Sequence, residues 1–322
     1  MKTRTALFII DPPDRLDPPT DTSLALMRES LARGYQVCWT TLDGLSLRDE
    51  KPQAKVHPVI FSKGQEMFLP YPAEEFNPAS ADLIFMRKDP PVDLAYLHAT
   101  LILERLACRT LQINPPQALR NHCEKLIPSL FPELAPATLV SSDQGLLTDF
   151  LRQQRHIVIK PLEDCSGKGV YVLRHDDPNA RPLMTDMTRG GTRFLQAQKF
   201  LPAIINFGDK RVLLLAGEIL GWIRRVPAAG DFRSNINAGG RCEPCDLNPR
   251  DHHICKVVGR WLKREGILLA GIDIVGEYLL EVNITSPSCL REINQLTGTQ
   301  LEIQIMDRLE QELETASKTR EV

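Results

Sequence analysis

Apolar and polar positions follow two different textures along the chain. Up to about residue 120, short apolar runs are interleaved with segments of helical period. Residues 5–10 read as a buried strand. Thr22 or Ser23 can cap a helix that runs to Arg33, with Gly34 as its stop, and residues 35–42 read as the next strand. A proline-rich stretch, 51–80, reads as irregular. Residues 82–86 form a third strand, 93–106 a helix and 110–113 a fourth strand. Strands that alternate with helices in this way predict an open, mostly parallel sheet.

From Pro136 onward the pattern changes to short strands and hairpins. Residues 137–141 and 157–161 flank a helix over 143–154, and strands follow at 169–174 and 193–200. Residues 211–215 and 219–226 are joined through Ala216-Gly217, a hairpin signal. The segment 227–241 carries three glycines and almost no large apolar residue, which is loop composition. The rest reads as a helix over 249–264, a hairpin of strands at 268–275 and 278–285, and two helices. In the last of these Leu301, Ile305, Leu309 and Leu313 make one apolar face. The fold class expected is therefore α/β with α+β character towards the C-terminal part.

A chain of 322 residues is long enough for about two domains with cores of their own. Hydrophobic residues at 43% and charged residues at 25% are ordinary for a soluble enzyme, and a formal charge of -2 gives no reason to expect nucleic acid or an anionic membrane as partner. The first apolar run stops at Asp11-Pro12-Pro13, too short for a signal peptide or a membrane span, so the expected location is cytoplasmic. The eight cysteines show no disulfide framework, and free thiols are expected. Cys242 and Cys245, followed by His252, His253 and Cys255, could ligate zinc, but the second group lacks knuckle spacing. They read instead as a loop leading into a helix.

A dinucleotide-binding Rossmann unit is excluded because the first strand runs into prolines rather than G-x-G-x-x-G. The most informative polar group is Asp273, Glu281 and Asn283, three oxygen donors on two otherwise apolar strands. Glu281 and Asn283, two apart, share a face. Asp273 joins them only if the hairpin register allows it. A two-residue turn at Gly276-Glu277 would set Asp273 opposite Leu280. A three-residue loop through Tyr278 sets it opposite Glu281, and that loop is expected. A few hard oxygen ligands suit Mg²⁺ held jointly with substrate phosphates.

Lys160 ends a strand, and the loop after it includes Ser166, Gly167, Lys168 and Gly169, small residues whose backbone amides could close on phosphate. It is not a Walker A loop, since Gly169 follows Lys168 and the upstream glycine is missing. Lys125, Arg211, Arg225 and Arg241 are each ordinary surface charges by themselves. Together they could neutralise a transferring phosphoryl group.

Taken in order, several runs resemble the bacterial glutathione synthetases of the ATP-grasp superfamily: Met86-Arg87-Lys88-Asp89-Pro90-Pro91, the stretch 114–120, Glu124-Lys125-Leu126, Lys160-Pro161-Leu162, Gly208-Asp209-Lys210-Arg211-Val212, Asn237-Ala238-Gly239-Gly240-Arg241, Gly271-Ile272-Asp273 and the stretch 281–287. The resemblance extends over nearly the whole chain. It implies an N-terminal domain over 1–120, a central subdomain over 121–200 and a C-terminal catalytic subdomain over 201–322, with ATP between two antiparallel sheets and 227–241 as a mobile lid. Lys125, Lys160 and residues 166–169 would hold ATP. Asp273, Glu281 and Asn283 would hold Mg²⁺, for which Mn²⁺ could substitute. Arg87, Arg211, Arg225, Asn283 and Ser286 would contact the acid, phosphate or product, with Arg211, Arg225 and Arg241 assisting catalysis. The implied reaction joins γ-glutamylcysteine to glycine through an acyl phosphate, giving glutathione, ADP and phosphate. A homo-oligomer, dimer or tetramer, is implied in the same way.

Two departures stand out. Where the family carries a Gly-Met-Gly-Gly-like loop, this chain has Asp164-Cys165-Ser166-Gly167, so an added acid and fewer glycines must alter how the loop lies on phosphate. The loop 11–22 is also rich in proline and acid, which bears on the choice of acid substrate. The alternatives are an ATP-grasp ligase for a different acid and amine, and a nucleotide-binding protein without turnover.

Overall fold

In the computed structural model, which describes residues 3–107, 109–164 and 167–320, the first apolar run becomes β1 (Thr5–Ile9), an interior strand of a seven-stranded sheet. It pairs in parallel with β2 (Gln36–Thr40) on one side, while β3 (Leu45–Arg48), β4 (Lys51–Pro58) and β5 (Glu74–Phe76) extend that edge antiparallel. On the other side come β6 (Leu83–Met86) and β7 (Leu111–Ile113), both parallel. The sheet is mostly parallel, as its alternating pattern predicts. Two details differ from the sequence reading. The helix α1 (Thr22–Ala32) is capped by Asp21, whose side chain accepts from the Leu24 amide at 2.8 Å, and not by Thr22 or Ser23. The stretch read as irregular contains β4, in which Pro52, Ala54 and Val56 face inward. Prolines and a small alanine hide its period of two.

The helices α2 (Leu94–Glu104) and α3 (Pro116–Asn121) complete the N-terminal part. A smaller unit follows, in which β8 (Thr138–Ser141), β9 (His156–Pro161), β10 (Tyr171–Arg174) and β11 (Leu195–Lys199) form an antiparallel sheet of order β10-β9-β11-β8. The helices α4 (Gln144–Gln154) and α5 (Ala180–Met187) cover it, and Leu147, Leu151, Ile159 and Leu195 close a core that belongs to this unit alone.

After the short α6 (Ala203–Phe207) comes a five-stranded antiparallel sheet. It is built from β12 (Asp209–Leu215), β13 (Glu218–Val226), β14 (Arg241–Glu243), β15 (Leu269–Val275) and β16 (Tyr278–Asn283), in the order β14-β13-β12-β15-β16. Three helices pack around it: α7 (Pro249–Arg264), which opens with a capping box between Asn248 and Asp251, α8 (Leu290–Thr297) and α9 (Leu301–Arg320). The cores here are shared with the N-terminal sheet. Leu7 and Met86 lie in one cluster with Ile272 and Val282, and Phe8 and Leu24 in another with Ile305 and Leu309. Asn114, at the end of β7, pins the junction: its side chain donates to the Leu269 and Ile284 carbonyls and accepts from the Leu268 and Leu269 amides.

The β15–β16 hairpin corrects the expected loop. Val275 pairs with Tyr278, so the turn is the two-residue Gly276-Glu277, yet Asp273 pairs with Glu281. A bulge at Leu280 reconciles the two. It also switches the alternation, so that Leu279 before it and Val282 and Ile284 after it all face the core, and Glu281 and Asn283 are left on the other side. Among the described residues no helix is long and apolar enough to cross a membrane.

Candidate active site

Strand register assembles the charges. Asp209 lies directly across from Arg225, and Arg211 directly across from Asp273. All four side chains are buried. Arg211 donates to Asp273 through Nε at 2.6 Å and Nη2 at 3.0 Å, Arg225 grips Asp209 at 2.8 and 2.6 Å, and Arg225 Nη2 also reaches Asp273 at 3.0 Å. Burial alone pushes the Asp273 carboxyl up, but Arg211 and then Arg225 outweigh it and hold it well below the usual carboxylate range. Two aspartates balance two arginines, which is how charge survives out of water.

Asn283 Nδ2 lies 3.3 Å from Asp273 Oδ2, and Glu281 pairs with Lys125 at 3.4 Å. Burial works to lower the Lys125 ammonium, and Glu281 and Glu124 together keep it above its ordinary value. On β9, Lys160 reaches Gln198 Oε1 at 3.3 Å, and burial pulls its ammonium down despite the nearby Glu281. The three oxygen donors named from sequence thus meet on one face, with cationic side chains resting on both carboxylates. The hard-oxygen set suits a divalent cation, which would have to compete with the cationic side chains that rest on both carboxylates. Among the described residues no cluster of three His, Cys, Asp or Glu side chains is arranged for a metal. The cysteines weighed for zinc are divided between cores, with Cys255 in one and Cys242 packed against the other.

Of the loop after β9, Ser166 lies outside the described residues. Gly167 and Lys168 line the cavity, whereas Gly169 turns at φ +66° against Pro161, which leaves no room for a side chain. The added acid of this loop does not face the cleft's cations: Asp164 and Glu163 both bind Arg193, at 3.1 and 3.0 Å, and it is the Asp164 carbonyl that accepts from Lys125. Arg87 is 5% exposed, binds Ser23 Oγ through Nε at 3.1 Å, and leaves Nη1 without a partner. Ser286 donates to the Arg87 carbonyl at 3.3 Å.

Arg241 is not brought to the site. Its side chain is 69% exposed and pairs with Glu243 at 2.8 Å, because β14 is the outer strand of its sheet and turns it to solvent. The loop 227–241 supplies Arg233 instead. Arg233 is held by Asp231 at 2.7 Å, and its Nη1 approaches the Gly167 carbonyl at 3.5 Å, linking this loop to the phosphate-type loop. An irregular loop gives no periodic signal, so nothing in the sequence singles out Arg233. Asp209 was missed, because the strand was read as starting at residue 211, whereas β12 begins at Asp209 and its alternation puts Asp209 and Arg211 on one face. Glu124 was also missed. Its Oε1 accepts from the Ile284 and Thr285 amides and the Thr285 hydroxyl, fixing the chain between Asn283 and Ser286.

These groups surround a cavity of about 350 Å³ between the two antiparallel sheets. Its lining combines apolar side chains, Val158, Phe200, Leu201, Ile204 and Leu280, with the lysines, arginines and carboxylates and with residues from the loop 11–22. Such a lining can take a flat base, a polyphosphate and a polar acid.

Two family models match the chain: prokaryotic glutathione synthetase, N-terminal domain, over residues 5–120, and prokaryotic glutathione synthetase, ATP-grasp domain, over residues 124–298. The glutathione synthetase of Gloeobacter violaceus is 40% identical over 310 residues, covering 94% of this chain and 95% of that one. That of Escherichia coli strain K12 is 36% identical over 310 residues, covering 95% and 98%. Among solved structures, D-cycloserine synthetase DcsG matches with a TM-score of 0.65 at 14% identity, over 94% of this chain and 99% of that one. The ATP-grasp ligase PsnB, complexed with minimal precursor, Mg and ADP, matches with a TM-score of 0.61 at 15% identity, over 96% and 98%. At such identities these structures establish the fold, which is ATP-grasp.

Proposed function

This chain belongs to the prokaryotic glutathione synthetase family of ATP-dependent ligases, and we propose from that premise which residues do the work and on which substrates. The acid is γ-glutamylcysteine and the amine is glycine. One observation carries the assignment: Lys125 and Lys160 meet Arg211, Arg225, Asp273 and Glu281 in a single cleft between two sheets.

The adenine packs against the apolar lining side chains, Leu280 among them. Lys125, Lys160 and Lys168, with the Gly167 backbone, hold the phosphates, and Gly169 shapes their turn. Asp273, Glu281 and Asn283 hold Mg²⁺, or Mn²⁺ in its place. The ion when bound supplies charge neutralisation at the transferring phosphoryl group. Arg211, anchored by Asp273, and Arg225, anchored by Asp209, present fixed positive charge to that group, so little reorganisation is needed when charge develops. Arg87 and Ser286 receive the acid. Phosphoryl transfer to the cysteinyl carboxylate gives an acyl phosphate; glycine nitrogen then attacks the acyl carbon, phosphate leaves, and the amine proton is lost. No side-chain nucleophile takes part, and positioning does most of the work. Arg233 and the loop 227–241 close on the Gly167 loop and keep water from the acyl phosphate.

Division into units 1–120, 121–200 and 201–322 is part of this reading, as is a homo-oligomer, which rests on family resemblance and is tested by sedimentation. The six free cysteines among the described residues suit a reducing cytoplasmic compartment. The deciding experiment is ADP release from Mg-ATP, γ-glutamylcysteine and glycine, each omitted in turn. Release that needs all of them is expected; release with the dipeptide absent, or none at all, would sink the substrate assignment.

A further inference from the structure

Glu124 and Lys125 are neighbours in one turn, closed by the Leu126 amide on the Cys123 carbonyl at 2.8 Å, and between them they tie that turn to both walls of the cleft. Lys125 holds the smaller unit: its ammonium donates to the Asp164 carbonyl, and Gln196 of β11 donates to its backbone carbonyl at 2.7 Å. Glu124 holds the five-stranded sheet. Its backbone carbonyl accepts from the Val282 amide at 3.2 Å, and its Oε1 accepts from the Ile284 amide at 2.7 Å and from the Thr285 amide and hydroxyl at 2.8 Å each.

Ile284 and Thr285 lie just past the end of β16, where the ladder no longer supplies partners for their amides, and a buried amide needs one. The chain that carries Asn283 and Ser286 therefore takes its place from one carboxylate oxygen. Charge and reach can be separated as the reason for a glutamate here. Burial pushes the Glu124 carboxyl up, with the Thr285 amide pulling against it, so the anion is not favoured for its own sake. Lys125 depends on it only second, since Glu281, ahead of Glu124, offsets the effect of burial on that ammonium. The reach of the side chain is what the three bonds on Oε1 use.

We propose that Glu124 is a positioning residue, a brace of fixed length that sets Lys125 against the segment 283–286 across the cleft. Resting on the residue roles and substrates proposed above, it holds the phosphates on Lys125 at the right separation from the acid that Ser286 receives, and so brings the attacking carboxylate oxygen into line with the transferring phosphoryl group. A misplacement of about 1 Å at that point costs roughly 10²-fold in rate. Glu124 touches neither reacting atom and acts through Lys125, Asn283 and Ser286.

Two substitutions separate length from charge. Glu124→Asp keeps the charge and shortens the side chain by a methylene, whereas Glu124→Gln keeps the length and a carbonyl oxygen and removes the charge. ADP release is followed with Mg-ATP, γ-glutamylcysteine and glycine, Mg-ADP affinity by calorimetric titration, and folding by urea denaturation. Glu124→Asp should lose roughly 10²-fold in kcat while the KM for ATP and the affinity for Mg-ADP stay within about threefold of wild type. Glu124→Gln, whose bonds are weaker but still made, should keep kcat within about tenfold. The reverse order, or equal loss in both, overturns the brace, as does a loss that falls on KM with kcat unchanged. If Glu124→Asp fails to fold, Thr285→Val decides, since it removes one of the three bonds and leaves both amides: a lower kcat at unchanged Mg-ADP affinity supports the brace, and a wild-type kcat overturns it. A wild type that releases no ADP refutes the substrate reading and the brace together; wild-type turnover with an unchanged kcat in folded Glu124→Asp refutes the brace alone.

Discussion

Asp273 carries two duties that pull against each other. It anchors Arg211 and Arg225 in the absence of any ligand, and in the proposed chemistry it also faces a metal ion. Read from sequence alone, Asp273→Asn should abolish turnover and leave the fold intact. The buried pairs change the second half of that expectation. The substitution should lower kcat by roughly 10²–10³-fold or more, and it should also cost about 3–5 kcal/mol in urea denaturation, because two buried guanidinium groups lose a counter-charge. A variant as stable as the wild type would show that Asp209 alone balances both arginines. The same pairing predicts an acid limb. A carboxyl held lower in the folded chain than its unfolded value of about 3.9 adds stability that is fully present above that pH and is lost as pH falls towards the folded value. Denaturation midpoints measured from pH 5 downward should therefore fall more steeply in the wild type than in Asp273→Asn. At this scale the sequence was partly legible. Alternation showed that Glu281 and Asn283 share a face, but no local pattern could tell that Arg225 is answered by Asp209, or that Arg241 points to water, because cross-strand partners depend on pairing that the chain does not write locally.

Among the elements, the β15–β16 hairpin and the loop 227–241 differ in how far they could be foreseen. The pairing of Asp273 with Glu281 follows from the chemistry expected of them. The bulge that achieves it does not, since an extra residue leaves no mark beyond two consecutive leucines, Leu279 and Leu280, of which one faces the core and the other the cleft. The glycine-bearing loop was legible as a loop, yet its contact with the Gly167 loop through Arg233 was not. That contact gives a measurement. Trypsin should cut the free protein after Arg241, which is exposed, and more slowly after Arg233, which is held by Asp231. Mg-ATP with γ-glutamylcysteine should suppress both cuts if the segment closes over the reacting groups. Cleavage at an unchanged rate would mean that it stays open through the reaction.

At the scale of the molecule, two of the three hydrophobic clusters among the described residues join residues from the first 120 positions to residues beyond 200, while the third is confined to β8–β11 and their helices. The two flanking regions should therefore unfold together and the middle unit separately. In calorimetry Leu147→Ala should lower one transition and Leu309→Ala another, each by about 2–5 kcal/mol; a single transition moved by both would merge the units. The strand-helix alternation that announced a separate N-terminal sheet could not reveal this sharing, because it reports which faces are apolar and not what covers them. The helix α9 covers α1: Leu309, Ile305 and Met306 lie in one cluster with Leu24, Leu26 and Met27, and Arg33 binds Asp307 and Glu310 at 2.7 and 2.8 Å. A nascent chain emerging from the ribosome thus carries an apolar first helix without its full cover until about residue 310 has cleared the exit tunnel. A chain stopped just short of α9 would keep the cover that Leu213, Leu269, Leu290 and Ile293 give this cluster and lose only that of Leu301, Ile305, Met306 and Leu309.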